Sequence, residues 1–217
     1  MDGIRKELEV YIEAYIIPQY AGFDKAHQID HVRKVIANSM TLAQLLSADA
    51  SGAAVDAEMV YAIAAYHDIG LPHGRENHEQ SSATHLLADA HLRTWFSRKA
   101  LHTMAEAVAD HRASSQRAPR SLYGCIVAEA DRDIDYMTIL TRTLQYSLAN
   151  FPDFSQAQHF ERTYAHLHEK YGENGYMRLW LDIGPNKQKL DDMRRNMKSK
   201  EGVRTDFNAL YAEQMNI

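Results

Sequence analysis

Val60-Tyr61-Ala62-Ile63-Ala64-Ala65-Tyr66-His67-Asp68-Ile69-Gly70-Leu71-Pro72 decides how this chain is read. Seven apolar or aromatic residues in a row fit a helix buried on every side. Gly70 and Pro72 then stop it, because Gly favours the C-terminal cap and Pro cannot continue the hydrogen-bond ladder. At that stop stand an imidazole and a carboxylate, side by side. A buried carboxylate without partners is costly, so Asp68 needs company. Neutral His supplies a nitrogen ligand and ionised Asp one or two oxygens, enough to bridge two cations. Neighbouring residues on a helix diverge by about 100°. Both therefore reach one ion only at a helix end or between flanking helices.

Partners are found on either side. His31 opens an apolar-periodic stretch running to about Leu46, and Asp131 follows Ile126, Val127 and Ala130 on another helical run. Between them come His78, in His78-Glu79-Gln80-Ser81-Ser82-Ala83, and His111, in Val108-Ala109-Asp110-His111-Arg112. Each has a plainer reading. His27 and His31 form an i, i+4 pair, and His78 can sit in a polar first turn beside Glu79, with His73 and His85 close enough to compete. His111 ends a helix, where an imidazolium interacts well with the dipole, and His102 competes with it. Asp133 and Asp135 compete with Asp131 and are expected to be solvated or paired with Arg132.

In this order the residues resemble the HD superfamily of metal-dependent phosphohydrolases, whose signature is a His, then a His-Asp pair, then a distant Asp. The resemblance covers roughly residues 24–135. It implies an all-α bundle in which His31, His67, Asp68 and Asp131 bind one metal. It further implies that His78 and His111, on two intervening helices, hold a second. The opening Asp24-Lys25-Ala26-His27-Gln28-Ile29-Asp30-His31 resembles the Asp-x-x-His-x-x-x-His start of one bacterial branch, which casts His27 as a contact behind the ligands or to the substrate. The ten residues from Asp68 to His78 are fewer than in most two-metal members. The Gly-Tyr-Pro motif of cyclic-di-GMP phosphodiesterases and the Glu-Asp pair of alarmone hydrolases are absent, so those substrates are not expected.

At 217 residues the chain suffices for one domain with a substantial core. With 24 Lys plus Arg against 29 Asp plus Glu the net charge is −5, which argues against a nucleic-acid-coating or membrane-surface protein. No apolar run approaches a membrane span and no leader is evident, so a cytoplasmic enzyme is expected. The single Cys125 lies in an apolar context and reads as a buried small hydrophobe. Breakers including Pro18, Gly22, Gly52, Pro72, Gly74, Pro119, Pro152, Gly172, Gly175 and Pro185 punctuate stretches with three-and-four apolar spacing. Helices are predicted at 3–17, 28–47, 55–68, 76–92, 97–112, 120–134, 136–149, 155–171, 175–183 and 186–214. The expected fold is all-α: a single HD domain over 1–217, with its metal core at about 24–135. A helical extension over about 153–217 is expected to pack on that core, covering the pocket or forming a homodimer face.

The expected activity is hydrolysis of a small phosphate ester, such as a nucleotide or dinucleotide polyphosphate, with one or two divalent transition metal ions. Mixed nitrogen and oxygen ligands suit Mn, Fe, Co, Ni or Zn. Asp68 is expected to orient or bridge the ions and help deprotonate water, and Glu79 to serve as acid or base for the leaving group. Arg75 and Arg112 are the cations nearest the proposed ligands and suit phosphate. HD-type mixed-valent di-iron oxygenases share the fold and ligand order and need both His78 and His111. A non-catalytic metal-binding HD protein is a third class, disfavoured because every key ligand is present.

Overall fold

Asp56 starts the central helix, its carboxylate accepting hydrogen bonds from the Glu58 and Met59 amides. From Met59 to Tyr66 every residue of that helix is buried, as an all-apolar helix demands. The structure, a computed structural model, describes residues 3–24, 27–48, 54–112, 115 and 117–215. The expected breaker Gly52 lies outside them. Among the described residues there are helices and no strands, so the fold is all-α.

The helices are α1 (Lys6–Tyr11), α2 (Ile29–Ala48), α3 (Ala57–Tyr66), α4 (His78–Ala88), α5 (Arg98–Ala109), α6 (Leu122–Ala130), α7 (Tyr136–Asn150), α8 (Gln156–Tyr171), α9 (Pro185–Met197) and α10 (Lys200–Met215). They divide into two compact units. One comprises residues 1–132 with 179–184, and the other 133–178 with 185–217.

In the first unit α3 packs against α2, α4, α5 and α6, with α4 laid along α5. Tyr61, Ile63, Leu86, Met104, Val108, Val32 and Ile126 meet in its core, all 2% exposed or less. Side-chain caps set the helix starts: Ser97 accepts from the Ala100 amide and Ser121 from Gly124. The expected first helix, 3–17, is three pieces. After α1 the chain widens into a π-helical turn at Ile12–Ile16 and tightens into a 3-10 turn at Ile17–Gly22, which Pro18 can enter because it has no amide to donate. That sequence delivers Tyr20 to the core, fully buried. Cys125 is half-buried rather than buried.

In the second unit α7 packs on α8, and α9 and α10 pack on both. Asp135 caps α7, and Ser155 with Gln158 forms a capping box on α8. Two expected helices differ. Residues 175–183 are not helical: the Tyr176 and Met177 amides bond back to the Glu169 and Lys170 carbonyls, so the chain folds onto the end of α8. Residues 186–214 are two helices, because Ser199 takes the Gly202 amide on its hydroxyl and starts α10 afresh. No helix among the described residues is long and apolar enough to cross a membrane.

Candidate metal centre

Four helix ends supply the site. His67 follows α3 as its C-cap and Asp68 comes next, His78 opens α4, His111 lies just beyond α5, and Asp131 caps α6. His31 projects from the first turn of α2. Ending the helices here lets adjacent residues converge that a continuous helix would splay apart.

The six side chains meet in two groups that share Asp68. In one, His31 Nε2 lies 3.2 Å from His67 Nε2 and 3.2 Å from Asp131 Oδ1. The Oδ2 atom of Asp68 completes it, 3.3 Å from His67 Nε2 and 3.5 Å from His31 Nε2. In the other, His78 Nε2 and His111 Nε2 are 3.2 Å apart, and Asp68 Oδ1 lies 3.2 and 3.3 Å from them. One carboxylate thus shows a different oxygen to each pair of imidazoles. His67 is fully buried, His111 is 2% exposed and Asp68 3%.

The ring orientations fit a cation. His67 Nδ1 donates to the Ala64 carbonyl at 2.8 Å, His111 Nδ1 to Val108 at 2.7 Å and His78 Nδ1 to Arg75 at 2.9 Å. Those bonds set the tautomer and leave Nε2 as the lone-pair atom, the arrangement that metal-binding imidazoles use. Two such lone pairs facing each other at 3.2 Å repel unless a proton or an ion sits between them. Nitrogens bound at 2.0–2.1 Å to one ion with angles of 90–109° lie about 2.9–3.4 Å apart, which brackets the 3.2 Å between the nitrogens of each imidazole pair. The donors are therefore of the right kind and spacing to hold a divalent metal.

Without an ion, protons are the alternative. Burial opposes protonation of His31, yet Asp131 and Asp68 outweigh it and raise its pKa to about 9. His111, also buried, is raised to about 9 by Asp68, with help from Asp131 and the Val108 carbonyl. Burial would raise the Asp68 and Asp131 carboxyls, but the surrounding imidazoles hold Asp68 well below the usual range and lower Asp131 as well. An arriving metal displaces those protons, so affinity falls with acid.

The proposed substrate contacts flank the groups. His27 hydrogen-bonds Asp24 at 2.8 Å, its ring centre lies 5.5 Å from that of His31, and Arg75 reaches both Asp24 and His27 at 3.2 Å. Arg112 donates to the Glu76 carbonyl at 2.6 Å and lies 3.6 Å from the Glu79 carboxylate, which is itself 3.5 Å from His78 Nδ1. Of the competing residues, His73 and His85 turn to each other at 3.0 Å and His102 faces Glu106 at 3.7 Å. Asp133 lies 3.7 Å from Arg142, and Arg132 is buried against Glu129 at 3.0 Å.

Two supports have no motif to announce them. Tyr20 donates its hydroxyl proton to the Ala65 carbonyl at 2.8 Å and accepts the Asp68 amide at 3.3 Å, gripping the chain on both sides of His67. Gly70 donates its amide to Ser82 Oγ at 2.9 Å. A Cβ at Gly70 would lie 2.4 Å from the Ser82 nitrogen and 2.6 Å from the His78 carbonyl oxygen. Its φ of −82° suits any residue, so glycine is needed for closeness to α4.

Comparison with curated proteins and with solved structures gave no match. The family model of the HD domain matches residues 29–134, a span containing both ligand groups. Through residues 29–134 the chain belongs to the HD-domain superfamily of metal-dependent phosphohydrolases.

Proposed function

We propose that the protein hydrolyses a small phosphate ester, such as a nucleotide or dinucleotide polyphosphate, at a site of two divalent transition metal ions. His31, His67, Asp68 and Asp131 would hold one ion, and Asp68, His78 and His111 the other. The observation that carries this reading is the division of Asp68, whose two oxygens each face a different pair of imidazole nitrogens within 3.5 Å. Bound divalent metal supplies a water of lowered pKa and polarises the phosphoryl oxygens.

The remaining work falls to the chain. Asp68 keeps both oxygens unprotonated, because the imidazoles around it favour its charge, so both would remain ligands that bridge the ions and orient the water for deprotonation. Glu79 is the group assigned to the leaving oxygen. Its Oε2 is buried and makes no hydrogen bond, and Arg112 stands 3.6 Å away. Arg75, its side chain 68% exposed and tied at 3.2 Å to Asp24 and His27, is free enough to turn its planar fork to a phosphate. His27 would orient beside it.

The test is phosphatase and phosphodiesterase turnover on protein purified without chelator, with its metal quantified. Asp68→Ala should abolish turnover while leaving helical content intact. His78→Ala or His111→Ala should reduce two unequal metal-binding events to one. Turnover that survives both Asp68→Ala and exhaustive chelation would overturn the reading. Because the second group contains His78 and His111 with Asp68, the di-iron oxygenase is the second reading. Turnover of a non-phosphorylated substrate in air and not under anaerobic conditions would favour it.

A further inference from the structure

The second unit contains a cavity of about 350 Å³ lined by Arg142, Thr143, Tyr146, Arg162 and His166. Two arginines, a histidine, a threonine and a tyrosine make a lining without a carboxylate. The volume lies at the low end of small-molecule sites, about 300–1,000 Å³.

Arg162 is the informative residue. Its guanidinium lies over two rings, 4.9 Å from the Tyr146 centroid and 4.7 Å from that of Phe151. Such stacking fixes the plane of the fork and satisfies no hydrogen-bond donor. Its Nη1 atom is buried and has no hydrogen-bond partner, and among the described residues no carboxylate lies at ion-pair distance from Arg162. Elsewhere the chain spends its arginines differently: Arg5 on Glu58, Arg33 on Glu13, Arg120 on Asp110, Arg204 on Glu161. A buried guanidinium nitrogen without an acceptor is costly. Arg162, the residue that carries this nitrogen, is one of the side chains lining the cavity.

The neighbours agree in sign. Arg142, on α7, lies 3.7 Å from Asp133 and is 62% exposed, leaving most of its fork to solvent. His166 sits one helical turn after Arg162 on α8. Burial, then Lys170 and Arg162, hold its imidazole below the ordinary pKa, against a smaller opposing effect of Glu169. A proton is therefore disfavoured where an anion would be welcomed.

We propose that this cavity is an anion site for the phosphoryl group of a small phosphate ester, gripped by Arg162 and Arg142 with His166 beside them. It shares no residue with the HD-domain ligand groups and does not depend on their assignment. Two permanent positive charges and a titratable imidazole suit a phosphate dianion better than a monocarboxylate.

The experiment is calorimetric titration of the full-length protein with inorganic phosphate, and in parallel with malonate. Each is repeated on Arg162→Gln, Arg142→Gln and Asp68→Ala, with a thermal melt of every variant. A phosphate-binding event should persist in Asp68→Ala, whatever the HD-domain site contributes in wild type, and Arg162→Gln should weaken that event by about tenfold or more. Arg142→Gln alters an exposed side chain, so its weaker binding supports the site even if Arg162→Gln does not fold. Phosphate affinity unchanged by either arginine variant would refute the proposal. Loss of binding in Asp68→Ala would equally refute it, since the anion would then sit at the HD-domain site. Malonate bound where phosphate is not would overturn the phosphoryl assignment.

Discussion

Gly70→Ala puts one methyl group between two helices, and the geometry specifies what must give. The added Cβ would stand 2.4 Å from the Ser82 nitrogen, 2.6 Å from the His78 carbonyl oxygen and 2.6 Å from Ser81 Cβ, where ordinary contact begins at 3.4 Å. The first two are backbone atoms of α4 and cannot swing aside. The start of α4 must therefore retreat by about 1 Å, half the length of a metal–nitrogen bond of 2.0–2.1 Å. His78 is the first residue of α4, so its imidazole moves with it. His31, His67 and Asp131 lie on other elements. The second metal-binding event should weaken by about 10–100-fold, the usual cost of disturbing what supports a ligand, while the first remains. Overpacking costs about 1–3 kcal/mol, and loosening the Gly70–Ser82 hydrogen bond adds about 1 kcal/mol. Titration of chelator-treated protein with Mn or Co reads the first effect, and urea unfolding reads the second. Two binding events at wild-type affinity, with an unchanged urea midpoint, would refute the reasoning.

Other outcomes follow from the same contacts. Tyr20→Phe removes the hydroxyl that bonds Ala65 and Asp68, and unfolding in urea should register a loss of about 1–3 kcal/mol for the buried groups left behind. Metal affinity should fall with it, since the turn bearing His67 and Asp68 is no longer clamped; unchanged affinity would separate stability from the site. His159 is 1% exposed and its Nδ1 lies 2.7 Å from Ser147 Oγ; burial, then Arg162, lower its pKa. The unfolded chain then binds the proton more readily than the folded one, so this stabilisation is fully present above about pH 6.5 and declines as pH falls below it. His159→Gln should flatten that part of the stability–pH curve, and a curve that keeps its slope would assign the slope to other groups.

The all-α class and the order of the six clustered side chains were legible because each lies at a helix end marked by local chemistry. Gly70 and Pro72 end the His67-Asp68 segment, and the apolar run before it could be buried only by helices on every side. What sequence could not convey was closeness in space. Tyr20 lies 48 positions before Asp68, between the breakers Pro18 and Gly22 and outside every predicted helix, and nothing local says where its hydroxyl ends. Gly70 read as a stop signal, whereas its lack of a side chain lets α4 approach. The helix expected at 175–183 failed because buried Met177 and Leu181 mimic helical spacing, while backbone bonds back onto α8 determine the path. Ser199 went unread as a cap because the charge-rich run around it has helical propensity throughout.

Residues 179–184 belong to the first unit although 133–178 precede them. The Trp180 amide donates to buried Glu129 at 3.2 Å, and Leu181 joins the apolar cluster that contains Ile63 and Met104. Gly184, at φ +91°, leaves only 2.6 Å between its missing Cβ and Leu42. The unit that carries the six clustered side chains is therefore not a continuous gene segment. A ribosome cannot finish it until residue 184 has emerged, long after Asp131 has been made. A cut at residue 134, where the family match ends, would remove six residues that this unit uses as its own wall.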